Sequence, residues 1–94
     1  MKTGIGIGSA YYNGEDWDEL VDYTIEADKM GVDFVWSAEA WGMDAIVPLV
    51  YLAAVTKNIT LGTGIMQISS RVPSMIAMTS QSLATVSNNR FVLG

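Results

Sequence analysis

Two closely spaced glycines interrupt a strand-like run in the stretch Ile59-Thr60-Leu61-Gly62-Thr63-Gly64-Ile65-Met66-Gln67. The β-branched and large apolar residues at its start predict a buried strand. Glycines near the C-terminal end of a strand mark a bulge, or a place where another group comes close to the backbone. In a parallel α/β sheet, ligands bind at the C-terminal ends of the strands. The stretch therefore predicts a strand that ends either in a plain glycine turn or at a ligand site.

The remaining sequence predicts strands and helices in strict alternation. Apolar runs begin near residues 2, 32, 59 and 91, and segments with helical spacing of apolar residues lie between them. The predicted elements are a strand over Lys2–Ile7, a helix over Glu15–Met30, a strand over Val32–Ser37, a helix from Asp44 to about Lys57, a strand from Ile59, a helix over Pro73–Val86 and a strand from Phe91. A βα repeat of roughly 30 residues favours a parallel α/β fold.

Four such strands make up half of an eight-stranded TIM barrel, which typically takes about 250 residues. We therefore expect one partial, half-barrel domain over residues 1–94, with parallel strands in a βαβαβαβ order. A half barrel has two unpaired edge strands and one apolar sheet face, which predicts association with copies of itself or membership of a larger protein. An open doubly wound domain is less favoured, because it usually needs a fifth strand and a phosphate loop directly after the first strand.

Local signals define several ends of these elements. Gly31 is placed as the C′ residue of the first helix. Asp44 predicts an N-cap for the second helix, and Pro48 fits its first turn, where a missing N–H does little harm. Asn88 and Asn89 predict a turn in the left-handed conformation. The second strand shows little alternation of apolar and polar residues, which favours burial on both faces.

Composition restricts the classes of function. Half of the residues are hydrophobic and 16% are charged, which predicts that something other than this chain covers part of so small a surface. The longest apolar run, Ala45–Val55, is too short to span a bilayer and contains Pro48. Met1–Gly4 lacks the apolar segment of a secretory signal. We therefore expect a cytoplasmic protein without a membrane partner.

Charge and the missing residue types exclude further classes. Ten acidic residues against five basic ones give a net charge of −5, and the basic residues are scattered, so we expect no nucleic-acid partner. The chain has no cysteine, which excludes disulfides and thiolate metal sites. It has no histidine, which removes the commonest metal ligand and general base. We predict no metal site.

Two residues after the second predicted strand are candidates for a site. Glu39 falls at the C-terminal end of that strand, where carboxylates serve ligand sites, although an exposed loop acid fits the spacing equally well. Trp41 could provide a stacking surface for a planar ligand or simply fill a loop. The glycines of the first strand do not form a dinucleotide fingerprint, because the polar loop Ser9–Gly14 separates them from the following helix.

Several motifs, in this order along the chain, resemble the luciferase-like monooxygenases, and in particular their deazaflavin (coenzyme F420)-dependent branch. These motifs are Phe34–Asp44, Leu52–Thr56, Ile59–Ile65, Arg71–Pro73 and Ser87–Gly94. Members of the family are TIM barrels that use reduced flavin or deazaflavin to transfer a hydride or to activate oxygen. The chain departs from the family at Asn88 and Asn89, where relatives usually carry glycines. The resemblance implies coenzyme F420 as the cofactor, with FMN as the alternative, and a small-molecule substrate.

The resemblance also implies roles for particular residues. The peptide between Gly64 and Ile65 would be a non-proline cis bond that forms a bulge behind the cofactor ring. Thr63, Gly64, Ile65 and Met66 would line that ring and offer it backbone N–H groups. Glu39 matches a catalytic carboxylate position near cofactor and substrate. Since no histidine follows it, Glu39 would act as a hydrogen-bond partner or as a proton shuttle with a raised pKa.

Three hypotheses follow. The first is an N-terminal half-barrel portion of an F420-dependent oxidoreductase, which transfers a hydride at the C-terminal face of the barrel and is inactive without its missing C-terminal half. The second is a self-assembling structural module without catalysis. The third is an FMN-dependent monooxygenase of the same superfamily. A cofactor held only by its ring would bind weakly.

Overall fold

The computed structural model describes residues 1–8, 17–40 and 42–94. In this part of the chain, strands and helices alternate as predicted. They are β1 (Gly4–Gly6), α1 (Trp17–Lys29), β2 (Phe34–Ser37), α2 (Ile46–Val55), β3 (Thr60–Thr63), α3 (Pro73–Val86) and β4 (Phe91–Val92). The predicted loop Ser9–Gly14, the predicted start of the first helix at Glu15 and the stacking surface expected of Trp41 lie outside the described residues.

The four strands form one sheet in the order β1-β2-β3-β4, and all three neighbouring pairs are parallel. Each strand is therefore followed by a helix and then by its own neighbour in the sheet. This is the arrangement of consecutive strands in a (β/α)8 barrel, and the predicted half-barrel fold is confirmed. Strands β1 and β4 are the edges of the sheet.

The two faces of the sheet differ in composition. Alternate residues such as Val35 and Leu61 point towards the helices and are fully buried. They form the core together with apolar residues of all three helices, among them Val21, Ala27, Leu49, Leu52, Ala53 and Leu83. The opposite face carries glycines and two aromatic residues, Phe34 and Trp36, which are only partly buried. The burial predicted for both faces of the second strand is confirmed for the helix-facing side alone.

Most of the predicted helix ends are confirmed. Gly31 follows α1 with a φ of 86°, as a C′ glycine does. The Asp44 carboxylate accepts hydrogen bonds from the N–H groups of Ile46 and Val47, at 2.8 and 2.9 Å, and so caps α2 although Ala45 stands between them. Asn88 and Asn89 have φ values of 60° and 63° in the turn after α3.

A buried carboxylate, Asp28 of α1, holds the loop between α2 and β3 at the N-terminal edge of the sheet. It accepts hydrogen bonds from the N–H groups of Lys57, Asn58 and Ile59 at 2.7, 2.9 and 2.7 Å. Burial alone would raise the pKa of Asp28, but these three donors and the nearby Arg90 guanidinium outweigh it and lower the pKa. The carboxylate therefore stays ionised and ties α1 to the loop.

Arg90 completes the same cluster from the start of β4. Its guanidinium donates hydrogen bonds to the carbonyl oxygens of Ala53, Thr56 and Ile59 at 3.0, 3.2 and 2.9 Å. Two of these carbonyls lie at the C-terminal end of α2, where a cation is favoured by the helix dipole.

Within the described residues, no helix is both long enough and apolar enough to cross a bilayer.

Candidate functional site

The Gly64–Ile65 segment lies at the C-terminal edge of the sheet, directly after β3. Its peptide bond is cis, as the family resemblance implies. The N–H of Gly64 donates to the carbonyl oxygen of Ser37 at 2.7 Å, and the carbonyl oxygen of Ile65 accepts from the N–H of Glu39 at 3.1 Å. The N–H of Met66 donates to the carbonyl oxygen of Gly94 at 3.3 Å. The segment is thus fastened to β2 on one side and to the chain after β4 on the other.

The four residues expected to line a cofactor ring are adjacent, but only two of them reach the surface. Gly64 is exposed, and 63% of the Ile65 surface is accessible. Thr63 and Met66 are buried, and the Thr63 hydroxyl accepts a hydrogen bond from the N–H of Gly94 at 3.0 Å. Of the three N–H groups over Gly64–Met66, that of Ile65 is the one without a partner among the described residues. The accessible surface therefore consists of Gly64 and Ile65, and the buried residues Thr63 and Met66 flank them in the chain.

Glu39 holds two loops together beside this segment. Its carboxylate forms a bidentate ion pair with Arg71, with N–O distances of 2.6 and 2.5 Å. It also accepts hydrogen bonds from the N–H groups of Ala45, before α2, and Gln67, after the Gly64–Ile65 segment, at 3.0 and 2.7 Å. The two side chains are 9% and 18% exposed for Glu39 and Arg71. The carboxylate therefore joins the β2–α2 loop to the β3–α3 loop.

This environment holds the pKa of Glu39 at about 2. The hydrogen bond from Arg71 is the largest cause; burial acts in the opposite direction, and the N–H groups of Gln67 and Ala45 lower the pKa further. The same contact raises the pKa of Arg71 above its ordinary value. A proton shuttle with a raised pKa is therefore wrong for Glu39, because the carboxylate is ionised at neutral pH and all its acceptor positions are engaged. The role of a hydrogen-bond partner is compatible with the geometry.

Sequence reasoning missed two residues of this site. Arg71 was identified only as part of a family motif, although the arginine after β3 and the carboxylate of Glu39 after β2 fall at the same edge of a parallel sheet. Trp36 was assigned only to a strand. Its indole lies against the positions of Gly62 and Gly64. The sequence alone carries no signal for this, because it is the register in the structure that places this large side chain beside glycines of both neighbouring strands.

The site fits the ring of a flavin or deazaflavin better than it fits the phosphate-bearing tail. A planar ring needs an accessible, mostly apolar surface and few donors, and Gly64 and Ile65 provide both. A phosphate needs a free cation or several free N–H groups. All five cationic residues of the chain are described, and the one at this edge, Arg71, is already paired with Glu39. Arg90 and the three lysines lie before β4, β1, β2 and β3, towards the opposite edge.

Comparisons with known proteins agree with this geometry. The family model described as luciferase-like monooxygenase matches residues 1–94. The chain is 35% identical, over its whole length, to a candidate coenzyme F420-dependent oxidoreductase of Mycobacterium tuberculosis, of which it covers 26%. It is 31% identical to an F420-dependent glucose-6-phosphate dehydrogenase of Amycolatopsis mediterranei, of which it covers 30%. The chain thus spans less than a third of the length of these relatives.

Solved structures show the same fold. The oxygenating constituent of 3,6-diketocamphane monooxygenase from Pseudomonas putida, in complex with FMN, superposes with a TM-score of 0.87 at 20% identity; the match covers the whole of this chain and 29% of the other. The coenzyme F420-dependent tetrahydromethanopterin reductase of Methanopyrus kandleri superposes with a TM-score of 0.85 at 21% identity, covering 99% of this chain and 26% of the other. Proteins similar to this chain thus include both F420-dependent and FMN-binding enzymes. On its fold and on the family match over residues 1–94, the chain belongs to the luciferase-like monooxygenases.

Proposed function

We propose that this chain supplies the ring-binding part of a flavin or deazaflavin site in an oxidoreductase that acts on a small molecule. Coenzyme F420 is the first choice of cofactor, because the relatives at 35% and 31% identity are named for it, and FMN is the alternative. The observation that carries the proposal is the exposed Gly64–Ile65 segment at the C-terminal edge of β3, fastened on both sides by backbone hydrogen bonds. Ligands of parallel α/β proteins bind at this edge.

Each residue of the segment has a distinct part in this proposal. Gly64 has no side chain, so a flat ring can approach the backbone. Ile65 offers an apolar side chain and an N–H that has no partner among the described residues and can donate to a polar atom of the ring. Glu39 is a positioning residue, because its ionised carboxylate holds the loop that begins at Gln67. The bound cofactor supplies the hydride chemistry, and the protein supplies placement and electrostatics.

Catalysis requires more than these residues. The first relatives are more than three times as long as the chain, and the described residues offer no free cation to the phosphate-bearing tail of F420 or FMN. We therefore propose that the chain alone binds the ring weakly and does not transfer a hydride. In an active protein, the remaining strands of a barrel would provide the tail site and the substrate site, and would pair with the edges of β1 and β4.

An optical titration tests the ring site. F420, FMN and riboflavin are added separately while absorbance and fluorescence are followed. Because the chain contacts the ring and not the phosphate, we expect riboflavin to bind within about twofold of FMN. Gly64→Val covers the accessible surface and is expected to weaken binding by about tenfold or more, which is about 1.4 kcal/mol. Ala54→Val, on the exposed surface of α2, is the control. Absence of binding to all three compounds, or equal affinity of Gly64→Val and wild type, contradicts the proposal.

A second candidate function, self-association as a structural module, has its own support. Helices α2 and α3 contain no charged residue in 10 and 14 positions, although the chain carries a net charge of −5. Both helices expose large apolar side chains to solvent, and a groove of about 440 Å³ lies between them. Its apolar lining residues are Ile46, Val50, Met75, Met78, Leu83 and Val86. A second copy presenting the same uncharged face would cover it without bringing like charges together.

Size-exclusion chromatography with light scattering tests this assembly. We expect the wild-type chain to dimerise with rising concentration and Val50→Lys to remain monomeric, because a charge would then be buried in the contact. Tyr23→Lys, on the exposed side of α1, is the control and is expected to dimerise as wild type does. A wild-type monomer at all concentrations contradicts this second candidate and leaves the ring site unaffected.

A further inference from the structure

Three residues form a row across the sheet on the face opposite to the core. Gly6 of β1 and Gly62 of β3 are both in register with Trp36 of β2. The large indole therefore has, on each side, a neighbouring strand whose residue carries no side chain. Such an arrangement lets one aromatic side chain extend across three strands.

The glycines differ in how closely the indole approaches them. A methyl group at Gly62 would overlap the Cε3 and Cζ3 atoms of Trp36. A methyl group at Gly4 would lie 3.0 Å from Nε1 of the same ring, which is a tight contact. At Gly6 no heavy atom lies within 4 Å of the position that a methyl group would take. The indole thus occupies the space left by Gly62 and Gly4, and leaves that of Gly6 open.

Phe34 fixes the orientation of the indole along the strand. The two rings stack with centroids 5.4 Å apart and planes inclined by 15°. Because Phe34 precedes Trp36 by two residues in β2, it covers the side of the indole that faces the N-terminal edge of the sheet. On the other side, Cε3 of Trp36 lies 3.5 Å from the position that a methyl group at Gly64 would take. The indole is held between a stacked ring and the Gly64–Ile65 segment.

We propose that Trp36 is a positioning residue of the ring site. Placed between Gly4 and Gly62 and stacked on Phe34, the indole supports the Gly64–Ile65 segment to which a planar ring would bind. The identity of that ring rests on the proposed function; the support of the segment does not. The aromatic surface beside Gly64 also favours a planar, conjugated ligand over an aliphatic one.

Two glycine substitutions in the same row separate this role from simple filling of space. Gly62→Ala and Gly6→Ala add the same methyl group on the same face of the sheet, but only the first displaces the indole. The measurement is amide hydrogen exchange at Glu39, whose N–H donates a hydrogen bond to the carbonyl oxygen of Ile65. Glu39 is remote in sequence from both substitutions. Exchange at Leu52, in the middle of α2, reports global opening and serves as the reference.

We expect the Glu39 amide to exchange about tenfold faster in Gly62→Ala than in Gly6→Ala after normalisation to Leu52. Trp36→Phe, which keeps an aromatic ring on Phe34, is expected to fall between wild type and Trp36→Leu. If the Glu39 and Leu52 amides accelerate by the same factor in Gly62→Ala, the indole contributes only to global stability and the proposal is overturned.

Ligand affinity provides the second arm, with FMN and F420 as the probes. We expect Gly62→Ala to weaken binding by about tenfold in the wild-type background and to have no further effect in Trp36→Leu, because the methyl group then has no indole to displace. Additive effects of the two substitutions overturn the proposal. If the wild-type chain binds neither compound, the proposed function fails, and the exchange measurement alone decides the role of Trp36.

Discussion

The N-terminal and C-terminal edges of the sheet each carry one largely buried carboxylate and one arginine, but the two pairs make different contacts. At the N-terminal edge, Asp28 and Arg90 do not pair directly; the carboxylate binds backbone N–H groups of the α2–β3 loop and the guanidinium binds its carbonyl oxygens. At the C-terminal edge, Glu39 accepts two hydrogen bonds from Arg71 and one each from the N–H groups of Ala45 and Gln67, which lie in two different loops.

This difference in contacts distinguishes an edge that stabilises the fold from an edge that is available to bind a ligand. Most of the charge-assisted contacts of the first cluster satisfy backbone groups at the end of α2 and in the α2–β3 loop, which fixes this connection. Of the four hydrogen bonds that Glu39 accepts in the second cluster, two come from Arg71, and the pair lies beside Gly64 and Ile65, which are exposed. The N-terminal edge is therefore expected to govern folding, and the C-terminal edge to govern what the chain binds.

The largest expected effect is at the N-terminal edge. Asp28→Ala leaves three backbone N–H groups without their acceptor and removes a buried charge beside Arg90, and we expect it to lower the free energy of unfolding by about 4 kcal/mol. Urea denaturation followed by circular dichroism measures it. Asp22→Ala, an exposed acid of the same helix, is the control. A loss below about 1 kcal/mol would show that the loop does not depend on this carboxylate.

Glu39→Gln is expected to have a smaller effect on stability and a larger one on the site. The amide keeps one acceptor but loses the charge that binds Arg71, which we expect to cost about 2 kcal/mol. The loop after Gly64–Ile65 loses its anchor at the same time, so affinity for F420 or FMN should fall as well. Binding by Asp28→Asn, measured under conditions where it is folded, should be unchanged. Equal loss of binding in both variants would remove the distinction between the edges.

The pH dependence of the Glu39 contribution follows from its lowered pKa. A carboxyl group with a folded-state pKa of about 2 binds protons less readily than in the unfolded chain, so its contribution to stability is complete above about pH 5 and is lost as the pH falls towards 2. The difference in unfolding free energy between wild type and Glu39→Gln should therefore be constant from pH 5 to 7 and lose roughly half of its size by about pH 3. A gap that grows on acidification contradicts the ion pair.

The smallest expected effects come from one substitution made at both edges. Arg90→Lys loses several directed hydrogen bonds to carbonyl oxygens, and we expect it to cost about 1.5 kcal/mol. Arg71→Lys keeps a charge near Glu39 but loses the bidentate geometry, and we expect about 1 kcal/mol. Urea denaturation of both variants ranks them. The reverse ranking would mean that the ion pair of Glu39 and Arg71 contributes more to the free energy of unfolding than the hydrogen bonds of Arg90 to carbonyl oxygens do.

The order of the elements followed from the sequence because its signals are local. Pro73 can begin a helix without losing a needed N–H, and α3 begins there. Gly31, Asn88 and Asn89 favour left-handed backbone, and each adopts it. The first strand was predicted over Lys2–Ile7 but spans three residues, because strand length depends on the partner and not on the apolar run alone.

The clusters could not be predicted in the same way, because their contacts join distant parts of the chain. Glu39 was identified as a site residue from its place after a strand, but the direction of its pKa depends on Arg71, 32 residues later in the chain. Asp28 looked like an ordinary acid at the end of a helix, since nothing local shows that it lies against residues 57–59. Cytoplasmic location and oligomeric state stay predictions.

Titration of the ¹⁵N-labelled chain with F420, followed by ¹H–¹⁵N NMR, tests the central claim most directly. The C-terminal edge is predicted to bind the ring, so the amide resonances of Glu39, Gly64 and Ile65 should move with ligand concentration while those of Lys57–Ile59 stay in place. Shifts confined to Lys57–Ile59, or no shifts with either F420 or FMN, would contradict the assignment of binding to this edge.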